Sequence, residues 1–453
     1  MSSTSRRDFF LTAAAAAAAF SAASCSSARG RRPSANERLR VAQIGCGGKG
    51  LSDLQAVAKR HDIVALCDVD DGKASNARAE HPKATFYHDY RDLLDREKLD
   101  AVVISTPDHS HAVPALIAMQ LGLHVFVQKP LAHTVEEARV MLQAARKYGV
   151  ITSMGNQGTC LDGFRAAAEF VRSGAIGNVT EVHVWTNRPV WPQGIERQKH
   201  IDPIPASFRW DLWLGAAPYR PFAAARKETG FSGYAPFHWR GFWDFGTGAL
   251  GDMACHVANL PFFALELGAP IWVEGNGEGQ TDDTGPKAST IRFGFAARGN
   301  RGPVVLHWYD GGRLPPASVL PDEAERKGLR ALTEGGFLLV GDQGKLFSPT
   351  DYGESFALYP KQKFQNVPKP EQTLPRSPGI HDEWLDGIVA GSQPMASFEY
   401  SAPFTETMLL GNVALRLGRR LEWDAAAMRV TNDANAEQFL KKEYRRGFEL
   451  TRP

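Results

Sequence analysis

A short apolar run at residues 39–44 leads directly into Gly45-Cys46-Gly47-Gly48-Lys49-Gly50. A helix-like stretch starts at Leu51, and a second apolar run at 63–67 ends on Asp68. No other feature restricts the fold of this chain as tightly. A G-x-G-x-x-G turn means little alone. Between a strand and a helix, with an acid about twenty residues on, it describes a dinucleotide-binding βαβ unit. Gly45 makes the tight turn. Gly47 lets the backbone approach a pyrophosphate at the helix N-terminus, with Gly48 in the same cradle, and Gly50 lets the helix lie close to the strand. Asp68 is placed to accept from the adenosine ribose hydroxyls and to repel a 2′-phosphate, which predicts NAD rather than NADP. Asp70 and Asp71 are alternatives for that acid.

The alternation continues with strands at 101–105 and 124–127, so residues 37–154 read as a Rossmann domain with a doubly wound parallel sheet. From 155 to 453 the pattern changes. A helix is predicted at 163–173, strands at 179–187, 271–279, 289–296, 304–309 and 337–340, and a helix at 381–390. These predict a second α/β domain with a large open sheet, mixed or mostly antiparallel, packed on helices. The outer face of such a sheet suits contact with another copy, so a homo-oligomer is expected. Apolar residues make up 43% of the 453, enough for real cores, and a net charge of +2 leaves no basic surface for nucleic acid.

Residues 1–36 read as an export signal and linker. Ser5-Arg6-Arg7-Asp8-Phe9-Phe10-Leu11 is a twin-arginine pattern, followed by an alanine-rich run too short to span a bilayer. That route, which carries folded proteins, is expected to deliver the chain to the periplasm; an ordinary secretory signal is the alternative. Ala22-Ala23-Ser24-Cys25 resembles a lipoprotein cleavage box with alanine at its usual leucine, so Cys25 is a candidate lipidated membrane tether. Cys46, Cys67, Cys160 and Cys255 show neither metal spacing nor the density of a disulfide scaffold.

Three further segments carry chemistry: Thr106-Pro107-Asp108-His109-Ser110-His111, Gln128-Lys129-Pro130, and Asp252-Met-Ala-Cys-His256, with Gly155-Asn156 closing a sixth strand. Oxidising a secondary alcohol needs a base for the hydroxyl proton, and histidine titrates in the right range. Asp252 lies one helical turn before His256, where it could orient the imidazole or bind a neighbouring hydroxyl; a surface charge pair is the plainer reading of the spacing. A lysine beside the reacting oxygen stabilises alkoxide charge. No third ligand supports a metal at this pair.

Together these segments resemble the glucose–fructose oxidoreductase, inositol dehydrogenase and rhizopine-catabolism family over nearly all of residues 39–424. The resemblance implies that Thr106, Pro107, His111, Gln128, Lys129 and Asn156 line the cofactor. It also implies that Lys129, Asp252 and His256 form the catalytic group. The chain departs from the family pattern at Gln128, where glutamate is usual.

Tryptophans cluster between residues 185 and 243. Most suit packing, but 237–244 leads into the predicted catalytic helix, so His238, Arg240, Trp243 and Asp244 are candidates for sugar binding, with Tyr309 a further one. Three functions remain open: an NAD-dependent oxidoreductase acting on a secondary hydroxyl of a sugar or glycoside, such as that at C3; a redox-neutral glycosidase or lyase using a transient keto-sugar; and a non-catalytic NAD-bound sugar sensor. An exported dehydrogenase must keep its cofactor, and a loop or the C-terminal segment near Arg445 to Phe448 is expected to close over it.

Overall fold

The computed structural model describes residues 37–227, 231–322 and 331–453. The twin-arginine motif and Cys25 lie outside the described residues. The fold is α/β.

Six short strands form a parallel sheet: β1 (Arg40–Ile44), β2 (Asp62–Cys67), β3 (Thr85–Tyr87), β4 (Ala101–Ile104), β5 (His124–Val127) and β6 (Thr152–Met154), in the order β3-β2-β1-β4-β5-β6. Central strands covered on both faces need to be apolar throughout, and all four residues of β4 are buried. The order reverses between β1 and β4, which opens a crevice at their C-terminal ends. Helix α1 (Lys49–Ala58) starts in that crevice. Helix α2 (Asp71–Glu80) is capped by Asp70, whose side chain accepts from the Gly72 and Lys73 amides. Helix α3 (Val135–Tyr148) opens on a reciprocal Thr134–Glu137 capping box and ends on left-handed Gly149.

The second sheet has nine strands: β7 (Val179–Thr186), β8 (Trp272–Glu278), β9 (Ala288–Phe295), β10 (Val304–Tyr309), β11 (Gly335–Gly341), β12 (Lys345–Ser348), β13 (Ala357–Tyr359), β14 (Arg420–Asp424) and β15 (Arg429–Val430). Their order is β13-β12-β11-β7-β10-β9-β8-β14-β15. Only β7 and β10 pair in parallel among the described strands of this sheet, so it is mixed and mostly antiparallel. One face carries Val182, Val184, Leu306, Trp308, Ile291 and Phe293 into the main core, against helices α4 (Gly248–Val257) and α5 (Phe398–Leu417). Helix α6 (Ile380–Ala390) returns to the first sheet and sets Trp384 against Phe126, 5.6 Å between ring centroids. Strands β3 and β12–β15 and the twenty-residue α5 were not apparent from the sequence. The strands are short, and α5 is buried on most sides, which removes the polar stripe that marks an amphipathic helix. Among the described residues no helix is long and apolar enough to cross a membrane.

Candidate active site

A cavity of about 520 Å³ fills the crevice. Gly45, Gly47, Gly48, Asp68, Thr106, Pro107, Gln128, Lys129 and Arg240 all line it. The glycines are sterically required. A Cβ on Gly45, whose φ is +84°, would stand 2.6 Å from the Ser105 carbonyl oxygen, and one on Gly50 would stand 2.0 Å from that of Gly45. Gly50 is thus behind the cavity wall, holding α1 against the turn. Asp68 accepts from the Cys46 amide at 2.7 Å and the Asp70 amide at 2.9 Å. Of the three candidate acids, Asp70 caps α2 and Asp71 faces His88 at 2.9 Å, which leaves Asp68 as the carboxylate that ties strand end to glycine turn. A narrow cradle with no room for side chains, a helix start and a cavity-lining acid fit a dinucleotide.

At the other end of the cavity Lys129 Nζ donates to Asp252 Oδ1 at 2.8 Å and to the Asp252 carbonyl at 3.1 Å, and Arg240 Nε approaches the same carboxylate at 3.3 Å. Burial works against the Asp252 charge, but Lys129 and Arg240 outweigh it and hold the carboxyl far below its ordinary range. The Arg240 guanidinium lies over Trp239 and Phe237, at 4.3 and 4.4 Å. His256 is buried with its Nδ1 unpartnered and packs edge-on against Tyr352 at 4.6 Å. Burial, then Lys129, pushes it down to about 3, so its imidazole is neutral at physiological pH. Asp252 makes no hydrogen bond to that imidazole; its oxygen belongs to the two cations.

Asp108 was passed over in the sequence. It lines the cavity, and Oδ2 accepts from the Thr247 amide at 3.1 Å and hydroxyl at 2.8 Å. Burial raises it to about 7 against the pull of Arg240. Tyr352 and Asp351 also went unnoticed, because they lie in a loop between β12 and β13 with no motif. That loop runs against 158–163, where a Cβ on Gly163 would stand 1.9 Å from the Glu354 carbonyl oxygen. Asp351 Oδ1 is buried without a partner.

Other candidates sit elsewhere. His111 is buried off the cavity, its ring nitrogens 2.8 Å from the carbonyls of Pro130 and Thr106; it fastens the two loops to each other. Asn156 is fully buried with neither amide atom partnered. Trp243 donates to the Thr281 carbonyl at 3.2 Å, Asp244 pairs with Arg220, and both line a separate, smaller cavity. His238 is half-buried outside the lining of the main cavity. Tyr309 is on the outer face of the second sheet, with its hydroxyl on His183, because alternation along β10 turns it away from α4. Gln128 Nε2 donates to Asp53 Oδ2 at 2.8 Å, and buried Asp53 also takes Lys49 (2.7 Å), Ser105 (2.8 Å) and His381 (3.0 Å). Phe448 lines the cavity, with Arg91 over its ring at 4.3 Å and Arg91 Nη1 donating to the Gly447 carbonyl at 2.8 Å.

The family model described as an oxidoreductase family NAD-binding Rossmann fold matches residues 39–156, and that for the oxidoreductase family C-terminal alpha/beta domain matches 169–300. The chain belongs to the glucose–fructose oxidoreductase, inositol dehydrogenase and rhizopine-catabolism family. Its N-terminal domain is therefore an NAD-binding Rossmann domain. Among family relatives, a glycosyl hydrolase family 109 protein of Shewanella sp. (strain W3-18-1) is 37% identical over 120 residues, 24% of this chain and 26% of its own. The 2,7-anhydro-N-acetylneuraminate hydratase of Mediterraneibacter gnavus is 30% identical over 143 residues, 31% of this chain and 37% of its own. The inositol 2-dehydrogenase of Salmonella agona is 29% identical over 150 residues, 32% of this chain and 45% of its own. The chain thus spans less than half the length of these relatives. Among solved structures, the WlbA dehydrogenase from Bordetella pertussis, in complex with NADH and UDP-GlcNAcA, has a TM-score of 0.57 at 17% identity, over 86% of this chain and 99% of that one. At that identity the likeness concerns the fold.

Proposed function

We propose that the protein oxidises a secondary hydroxyl of a sugar or glycoside with a tightly held NAD, in the periplasm. The observation that carries this reading is the convergence of Lys129, Asp252 and Arg240 at one end of the dinucleotide cavity, beside a neutral His256. NAD, when bound, supplies the two-electron acceptor. Lys129 is positioned to donate to the substrate oxygen as it loses its proton, Asp252, itself paired with Arg240, holds the lysine in place, and His256 is free to accept the proton. Relatives named as an inositol dehydrogenase and as a hydratase of an anhydro-sugar support a polyhydroxylated substrate. Purified protein screened against glycosides, following nicotinamide absorbance and product mass, tests it: a keto-sugar is expected, and an unchanged substrate panel would remove the assignment. Periplasmic location rests on Arg6 and Arg7; with both changed to lysine, unprocessed protein should accumulate in the cytoplasm. A lipid tether at Cys25 and a homo-oligomer through the outer sheet face belong to the same proposal.

A second reading, redox-neutral cleavage through a transient keto-sugar, is favoured by Asp108. A buried carboxyl raised to about 7 keeps its proton near neutrality and can give it to a leaving group. Relatives named for family 109 and as an α-N-acetylgalactosaminidase support it. Aglycone release that falls as pH rises through about 7, and loses that limb in Asp108→Asn, would select this reading; ketone without release selects the first.

A further inference from the structure

The outer face of the nine-stranded sheet carries a group that the dinucleotide site does not use. Strands β7 and β10 are parallel neighbours with His183 directly opposite His307. Their rings stack at 4.7 Å and 13°, and the Tyr309 ring continues the stack. Glu181, two residues before His183, shares its face. One ligand atom from each of Glu181, His183 and His307 lies within 4.8 Å of the others. Val182 and Val184 point oppositely, into the core shared with α4, so the sheet separates this trio from Lys129 and Asp252.

We propose that Glu181, His183 and His307 form a binding site for a divalent transition-metal ion of the zinc class. Two imidazoles and a carboxylate are a borderline donor set that suits zinc, nickel or cobalt rather than magnesium or calcium. His183 is buried, and the Tyr309 hydroxyl fixes its Nδ1 at 3.1 Å while Nε2 faces Glu181 Oε2 at 3.1 Å. Orientation of a ligating imidazole through its second nitrogen is the usual support for such a site. Zinc ligands at 2.0–2.1 Å stand roughly 3.3 Å apart in a tetrahedron. His307 and Glu181, both partly exposed, have the freedom to close that gap, and the exposed side of Glu181 leaves a fourth position for water. The nearby cations have partners: Arg292 pairs with Glu274, and Lys345 Nζ donates to the Val319 carbonyl at 2.7 Å. The ion would join β7 to β10, strands more than a hundred residues apart in the chain, and so would raise thermal stability.

The test is calorimetric titration of the tag-free full chain with zinc chloride, with Co²⁺ absorption as the spectroscopic readout. One ion per chain is expected, with a higher melting temperature that chelator reverses. Glu181→Gln and His307→Gln, both partly exposed positions that should fold normally, are expected to weaken binding by about a hundredfold. Tyr309→Phe, which removes only the support of His183, should weaken it by about tenfold. Absence of stoichiometric binding, or affinity unchanged in His307→Gln, would overturn the proposal, the latter by assigning the ion to other residues.

Discussion

The two ends of the main cavity are built on different physical grounds. At the glycine end the constraint is steric: Gly45 and Gly50 are where backbone meets backbone, with no room for a methyl group. At the end that holds Lys129 and Asp252, the proposed reactive end, it is electrostatic. Two carboxyls, partly buried Asp252 and buried Asp108, share one neighbourhood and are driven apart, Asp252 below its ordinary range by Lys129 and Arg240, Asp108 above it by burial. Steric demands act between residues close in the chain and leave a fixed spacing. Charge is assembled from positions 108, 129, 240 and 252, which only the fold brings together.

The largest effect should come from the steric end. Gly50→Ala places a Cβ 2.0 Å from the Gly45 oxygen and is expected to cost about 3 kcal/mol or more of stability, with protein purifying free of NAD. Gly48 is the internal control. Nothing lies within 4 Å of its Cβ position, and only its backbone conformation, φ +54° and ψ −115°, opposes a side chain, a cost of about 1–3 kcal/mol. Equal melting temperatures for the two variants would break the steric account.

At the reactive end, Lys129→Ala and His256→Ala should each slow the chemical step by at least about a hundredfold in single-turnover measurements, with NAD still bound. The pH dependence sharpens this. With His256 at about 3 in the folded chain, lowered by burial and by Lys129, and at about 6.5 when unfolded, only the unfolded state takes up its proton between those values. Its contribution to stability is complete above about pH 6.5 and is lost as pH falls toward 3. His256→Gln should flatten that slope, and the parent should show no acidic limb from this base above about pH 4.

The same contrast explains what the sequence made legible. The parallel sheet, the glycine turn and Asp68 follow from patterns within thirty residues. Lys129 and Asp252 came through resemblance, but their mutual ion pair, and its capture of Asp252 away from His256, did not. Tyr309 was misplaced because a polar aromatic near a strand end gives no sign of which face it occupies; the pairing of β10 with β7 decides that. Asp108 was hidden inside the loop that was read for Thr106, Pro107 and His111.

Phe448 lines the cavity from the far end of the chain, with Arg91 over its ring. Phe448→Ala should raise the rate of NAD release by about tenfold, the scale of one aromatic contact shared between protein and ligand. The parent should carry NAD through gel filtration. Free exchange in the parent would show that the C-terminal segment is not what retains the cofactor.

The smallest effect tests whether the two ends are joined. Gln128 stands where the family pattern has glutamate, and its amide donates to Asp53, a buried carboxylate that also takes Lys49 from the glycine turn. A glutamate there would set two carboxylates at hydrogen-bond distance, and one would have to keep its proton. In Gln128→Glu the folded-state pKa of residue 128 is therefore raised above its ordinary value near 4.3. The variant should match the parent at about pH 3, where the new carboxyl is protonated in both states. As pH rises, the unfolded chain ionises first, so the loss accumulates to about 1 kcal/mol by pH 8. Adding Asp53→Asn removes the like charge. That double variant should lose this pH slope even though it forfeits the Lys49 and His381 contacts. A slope that persists would mean Asp53 does not set the choice at 128. A slope that vanishes ties the departure from the family pattern at 128 to a carboxylate on α1, and so to the glycine turn that lines the cavity.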